Sequence, residues 1–134
     1  MVCLYCCKDS QVINSRYQKR PNQVWRRRRC LNCSAVWSTL EISDYSLAVS
    51  VEGANNAFQP FDRDKLFLSI YESCKHRQTA LKDATALTET VLSKLIPKLT
   101  HASLPREVII IVVSTVLKNF DRPAAVHYAA YHPL

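Results

Sequence analysis

The chain has 134 residues, a formal charge of +7 and a 48% share of hydrophobic residues. That length suits one ordinary domain or two small ones, and that apolar content belongs to a folding chain. No apolar run approaches the roughly 18 residues a membrane-spanning helix needs, and "MVCLYCCKDS" has neither the basic nor the apolar region of a signal peptide, so a cytoplasmic protein without a membrane partner is expected.

The charge is unevenly placed. Residues 1–44 hold eight Lys or Arg against three Asp or Glu, whereas residues 45–134 hold ten against eight. A positive field concentrated in the first third suits nucleic acid. An anionic lipid surface fits less well, because no amphipathic helix accompanies the arginines.

In chain order, residues 12–17, 24–29 and 36–42 are rich in β-branched and aromatic side chains and read as strands. Pro21-Asn22 supplies a turn between the first two. Val12, Ile13, Tyr17, Trp25, Val36, Trp37 and Leu40 form a thin candidate core, of a size that folds only with a metal or disulfides. The texture changes at residues 44–46, the expected boundary between two parts. "SLAVSV" alternates like a strand. "EGANNAF", with the only glycine at Gly53, suggests a turn into a second strand at residues 57–59, giving a β-hairpin.

Four helices are expected next. The first spans about residues 62–76, capped by Asp62, with Leu66, Ser69, Ile70 and Ser73 or Cys74 facing inward. The second covers about residues 81–100, where Pro97 predicts a kink or an early end. The third begins at "SLPRE", with Ser103 as cap, Pro105 in the first turn and Glu107 at the positive end of the dipole. Its "VIIIVVSTVL" is apolar nearly all round and predicts the central buried helix. The fourth starts at Asp121, with Pro123 in its first turn. The fold class is therefore α+β: a small antiparallel unit over residues 1–44, then a hairpin plus four helices over residues 46–134.

Cys3-x2-Cys6 and Cys30-x2-Cys33 carry the clearest chemistry. Each pair presents two thiolates from one tight turn, and the two turns together supply the four soft ligands of tetrahedral Zn2+. Twenty-odd residues between them suffice for a hairpin that brings the turns together. A four-thiolate site has no open position, so the zinc is structural. A redox C-x-x-C pair normally opens a helix, and nothing helical follows Cys6. Cys7 points elsewhere, and Cys74 reads as a small core residue.

The arginines of "VWRRRRC" lie on the strand that ends at Cys30. Alternation sends Trp25, Arg27 and Arg29 one way and Val24, Arg26 and Arg28 the other. With Arg16, Lys19 and Arg20 opposite, the strand is suited to phosphates or base edges of duplex DNA. A solvated charge run is the plainer alternative; the scarcity of acids and the rigid anchor favour DNA. Both tryptophans read as core rather than as stacking platforms.

"CLYC", "VINSR", "QVWRRRRCLNC" and "WSTLE", in that order and spacing, resemble the zinc ribbon of the NrdR family, bacterial repressors of ribonucleotide reductase genes. "PFDRDKL" and "FDRPAAVHYAAYH" resemble the opening and closing helices of that family's ATP-cone. The resemblance implies zinc on Cys3, Cys6, Cys30 and Cys33. It implies DNA contacts from Arg16, Arg26, Arg27, Arg28 and Arg29. It implies ATP or dATP as effector in the cone at Val51, Phe61 and Lys65, with a nucleotide-dependent homo-oligomer on the bacterial nucleoid. The sequence departs from the family pattern at Leu4 (for proline), at Ser50 (for a lysine), at Ala125 and His127 (for tyrosine and arginine), in a longer segment at residues 53–60, and in ending at Leu134 without a charged tail. Two other readings stand beside this one: a DNA- or protein-binding ribbon whose cone only oligomerises, and an enzyme. For the latter no catalytic constellation appears, since His76, His101, His127 and His132 are scattered.

Overall fold

The computed structural model describes all 134 residues, which divide into two compact units, Met1–Ser43 and Asp44–Leu134. The first is an antiparallel sheet of β1 (Ser10–Gln18), β2 (Gln23–Cys30) and β3 (Val36–Ile42), in the order β1-β2-β3. Asn22 has a positive φ of 49° and closes the turn after Lys19. The register skips between Val12 and Asn14, so Ile13 is an extra residue bulged out of β1.

In this unit only Cys3 and Cys30 are buried. Val12, Ile13, Tyr17 and Leu40, expected in its core, are exposed. The reason is geometric: one three-stranded sheet has no second layer to bury either face. Trp25, Val36 and Trp37 are half-buried, so the expected core holds in these three residues alone, and only in part.

The second unit opens differently from the sequence reading. The start of "SLAVSV" is not a strand: Tyr45–Ala48 forms a short helix, α1, because the Asp44 side chain accepts from the Ser46 amide and caps it. Strand β4 is only Ser50–Glu52, paired antiparallel with β5 (Phe58–Pro60). The hairpin turn is there, but Gly53 does not make it, its φ being −98°. Asn55 and Asn56 carry the positive φ values, 61° and 56°, as the two central residues of a type I′ turn do.

Helices α2 (Arg63–Cys74) and α3 (Ala80–Leu95) follow. Asp62 caps α2 by accepting from the Asp64 and Lys65 amides at 2.9 and 3.0 Å. The second helix ends early, as Pro97 demands, in a 3-10 turn over Ile96–Lys98. Ser103 is not a helix cap. It lies in a third strand, β6 (Ser103–Pro105), which pairs parallel to β4. Pro105, whose fixed φ is compatible with both strand end and helix entry, is the cap residue of α4 (Arg106–Phe120), with no side-chain cap bond. Helix α5 (Arg122–Tyr131) is capped by Asp121.

The core lies among the four long helices and the hairpin, around Ile70, Val91, Leu95, Val113 and Leu117. The "VIIIVVSTVL" helix buries Ile110, Val112, Val113, Val116 and Leu117, yet Ile111 is exposed. It is thus covered on most of its circumference rather than all of it. At one end of the helices Asp121 binds the Ala124 amide, His76 and Arg77. Arg77 also reaches Asp83 at 2.8 Å, and its guanidinium lies 4.7 Å from the Phe120 ring centroid.

Two stability outcomes follow. Leu117 is wholly buried, so Leu117→Ala should cost about 2–5 kcal/mol, read from urea unfolding of the helical signal. The Ala124 amide, with His76 and Arg77, holds the Asp121 carboxyl below the usual carboxylate range. Its contribution is therefore present above the unfolded-state pKa and is lost as pH falls through the lower folded-state value. Asp121→Ala should lower the thermal midpoint at neutral pH and make little difference in strong acid; an equal effect at both would refute this account.

Candidate functional site

The four cysteines of the two C-x2-C pairs converge. Their sulfur atoms all lie within 4.8 Å of one another. Cys3 and Cys33 sulfurs are 3.6 Å apart, and those of Cys6 and Cys30 are 3.4 Å apart. A zinc tetrahedron with Zn–S of about 2.3 Å has S···S edges of about 3.8 Å, so the donor set fits Zn2+ in size, number and softness.

Each pair sits on the same kind of turn. The Cys3 amide binds the Lys8 carbonyl at 2.8 Å, and the Cys30 amide binds the Ala35 carbonyl at 2.9 Å. Cys7 and Ser34, each just after the second cysteine of its pair, both have positive φ, at 56° and 60°. That bend turns the chain back and leaves sulfurs facing backbone amides. Tyr5 donates to Cys3, while Asn32 and Cys33 donate to Cys30. The Cys33 amide does most to pull the Cys30 thiol down; desolvation opposes it, and the Asn32 amide adds to the lowering, to about 6. Such amides stabilise thiolate, the form that binds metal. Cys7 is exposed and outside the cluster, and Cys74 is buried in the helical unit.

The register of the sheet separates the arginines. Opposed residues of an antiparallel pair share a face, so one face carries Arg27 opposite Asn14, Arg29 opposite Gln11, and Arg16 opposite Trp25. The bulge at Ile13 allows Gln11 and Asn14 to lie on this face together. No acid stands among the paired positions of that face, and Arg16, Arg27 and Arg29 are exposed and in no ion pair. The other face carries Arg26 and Arg28, both half-buried. Arg26 is engaged by Glu41 at 2.8 Å and donates to Ser15 at 3.2 Å. Arg28 lies opposite Trp37 and donates to Ser10 at 3.4 Å, with its Nε buried and unpartnered.

In the helical unit the structure gathers Val51, Phe61 and Lys65 around one cavity of about 260 Å³. Three further residues there escaped the sequence reading: Arg106, Tyr128 and His132. Arg106 arrives because Leu104 of β6 pairs with Val51 of β4, and no local signal in "SLPRE" announces a strand. His132 lies just beyond α5, its ring 4.3 Å from that of Tyr128 and its Nε2 2.9 Å from the Ser69 hydroxyl. Burial first, and then Arg106, holds its pKa below the ordinary histidine value. Burial pushes the Tyr128 phenol up to about 12. No helix of the chain is long and apolar enough to cross a membrane.

Comparison with known proteins agrees with this geometry. Residues 1–41 match the family model described as the N-terminal domain of transcriptional repressor NrdR-like proteins. Over nearly the full chain the protein is similar to transcriptional repressors NrdR of several bacteria. That of Acetivibrio thermocellus is 32% identical, covering 98% of this chain and 87% of its own. That of Alkaliphilus oremlandii is 30% identical, covering 98% and 85%. That of Geobacter sulfurreducens is 30% identical, covering 98% and 87%.

Both tryptophans of the chain, Trp25 and Trp37, lie in the sheet unit. A strong chelator should therefore change tryptophan emission to that of solvent-exposed indole while the far-UV helical signal persists. Cys33→Ser should release zinc and Cys7→Ser should retain it, measured by metal content after gel filtration. Unchanged emission in metal-free protein would rule out a structural role for the metal.

Proposed function

Because this chain belongs to the NrdR family of transcriptional repressors, we propose that it binds duplex DNA through its zinc ribbon and represses the genes of ribonucleotide reductase, under control of ATP or dATP held in the helical unit. Zinc on Cys3, Cys6, Cys30 and Cys33 supplies a fixed, closed knot and takes no part in chemistry. The protein acts by binding, as a regulator on the nucleoid, and not as an enzyme.

The observation that carries the DNA reading is the acid-free sheet face with Arg16, Arg27 and Arg29. Strand β2 ends on a metal ligand, so its arginines approach DNA with little backbone freedom left to lose. Arg27 and Arg29 are the bidentate donors for phosphate or guanine, and Gln11 and Asn14 are neutral readers of base edges. Arg26 is occupied by Glu41 and Ser15; its role is to tie β1, β2 and β3 together. Arg28 is half-buried on the same face, opposite Trp37 and bonded to Ser10, with no ion pair. On this reading the four-arginine strand divides into two residues that face DNA and two that lie on the opposite face.

In the second unit, nucleotide in the cavity shifts the balance between oligomers and so the number of ribbons presented to DNA together. Linking several weak ribbons raises affinity without any new contact.

A mobility-shift assay on the DNA upstream of ribonucleotide reductase genes tests the reading. Arg27→Ala with Arg29→Ala should weaken binding by more than about tenfold and reduce the salt dependence by roughly two released counterions. Arg26→Ala should leave that salt dependence nearly unchanged. Parent protein that ignores this DNA at low salt would sink the proposal. If instead Arg26→Ala lowers the salt slope as much as the double variant, only the division between the faces falls. Sizing experiments with and without dATP should show a change in oligomer.

A further inference from the structure

The cavity in the helical unit holds two cations without counterions. Lys65 and Arg106 both line it, both are exposed, and neither enters an ion pair. Arg63, Lys75 and Arg77 of the same unit are paired, with Glu89, with Glu72, and with Asp83 and Asp121, whereas Lys82, Lys94, Lys98, Lys118 and Arg122 are as unpaired as Lys65 and Arg106; what sets these two apart is that they share one cavity. The one carboxylate in the cavity wall, Asp62, directs its Oδ1 to the Asp64 and Lys65 amides as a helix cap. The deeper wall is apolar, with Val51, Phe61 and Ile110. Unpaired positive charge at the mouth of an apolar cleft fits a ligand with an anionic end and a flat, weakly polar body.

Resting on the reading of this unit as a nucleotide site, we propose that Arg106 and Lys65 are the two jaws of a polyphosphate clamp, and that His132 leaves Ser69 to become a third, protonated donor when the phosphates are seated. The two jaws come from different places: Lys65 from the first turn of α2, and Arg106 from the first residue of α4, which the β4–β6 pairing sets beside the hairpin. A planar guanidinium offers paired donors to phosphate oxygens, which an ammonium does not. The base and sugar lie against Val51 and Phe61.

The role of His132 follows from its surroundings. It shares the cavity with Lys65 of α2 and the cap residue Asp62, with Arg106 of α4, and with Tyr128 of α5, and an imidazole is the side chain whose ordinary pKa lies near neutrality. Burial, and then the Arg106 charge, disfavour the protonated ring. Phosphate neutralises Arg106 and adds negative charge beside the ring, which raises the pKa of the imidazole. Binding therefore takes up a proton, and affinity rises as pH falls.

Calorimetry on the full chain with ATP, adenosine and inorganic tripolyphosphate tests the clamp. Arg106→Ala should lose roughly ten- to hundredfold in affinity for ATP, with partial recovery in Arg106→Lys. Tripolyphosphate should bind in an Arg106-dependent manner, and adenosine should be indifferent to the substitution. Between about pH 8 and about pH 5.5, ATP affinity should rise more steeply in the parent than in His132→Gln, since the nucleotide's own titration is common to both. A thermal midpoint for Arg106→Ala within a degree or so of the parent, as suits an exposed side chain, separates lost binding from lost fold. Parent that binds ATP while Arg106→Ala binds within twofold of it would overturn the clamp and leave the nucleotide reading standing. Parent that binds neither ATP nor dATP would overturn both.

Discussion

The four sulfurs of the two C-x2-C turns lie within 4.8 Å of one another, a spacing at which thiolates repel unless a cation lies among them, and this constraint governs the N-terminal unit. The sheet around the cluster buries only the two ligands Cys3 and Cys30. Its other apolar side chains gain too little burial to offset the ordering of some forty residues. Zinc held by the four sulfurs would supply the folding free energy that the sheet lacks. Because Cys30 is both a ligand and the last residue of β2, the same bond that folds the unit also fixes the direction of the arginine strand.

A pleated strand cannot show four consecutive side chains to one surface. The four arginines are consequently two and two, and their neighbours decide what each pair does. Glu41 and Ser15 occupy Arg26, and Trp37 faces Arg28 across the sheet. On the opposite face the bulge at Ile13 changes which residues of β1 accompany Arg27 and Arg29, bringing Gln11 and Asn14 together. One extra residue thus sets Gln11, Asn14 and Arg16 of β1 on the face of Arg27 and Arg29.

The helical unit depends on an equally small element. The three-residue strand β6 pairs parallel to β4, which sets the start of α4 against the hairpin. That pairing brings Arg106, some forty residues distant in sequence from Lys65, to the same cavity. The relatives named as transcriptional repressors NrdR extend over this unit as well as the ribbon.

Much of this was legible in the residues alone. Spacing of the cysteines pointed to zinc and to the four sulfurs that converge, because ligand number and turn geometry are local. Strand alternation, the Asp62 and Asp121 caps and the stop at Pro97 are local in the same sense, since each concerns groups a few residues apart. What the sequence could not decide were matters of partnership. Whether Arg26 is free depends on Glu41 across the sheet; whether Ser103 caps a helix or joins a strand depends on the distant edge of β4. Asp44 turned a strand-like alternation into a helix, and Asn55-Asn56 took the turn expected of Gly53. The sequence by itself determined the long strands and helices and the four-sulfur cluster that suits zinc, because those follow from short-range sterics and ligand chemistry. Only the tertiary structure decided which charges are neutralised and which remain free to meet a ligand, because that depends on long-range register.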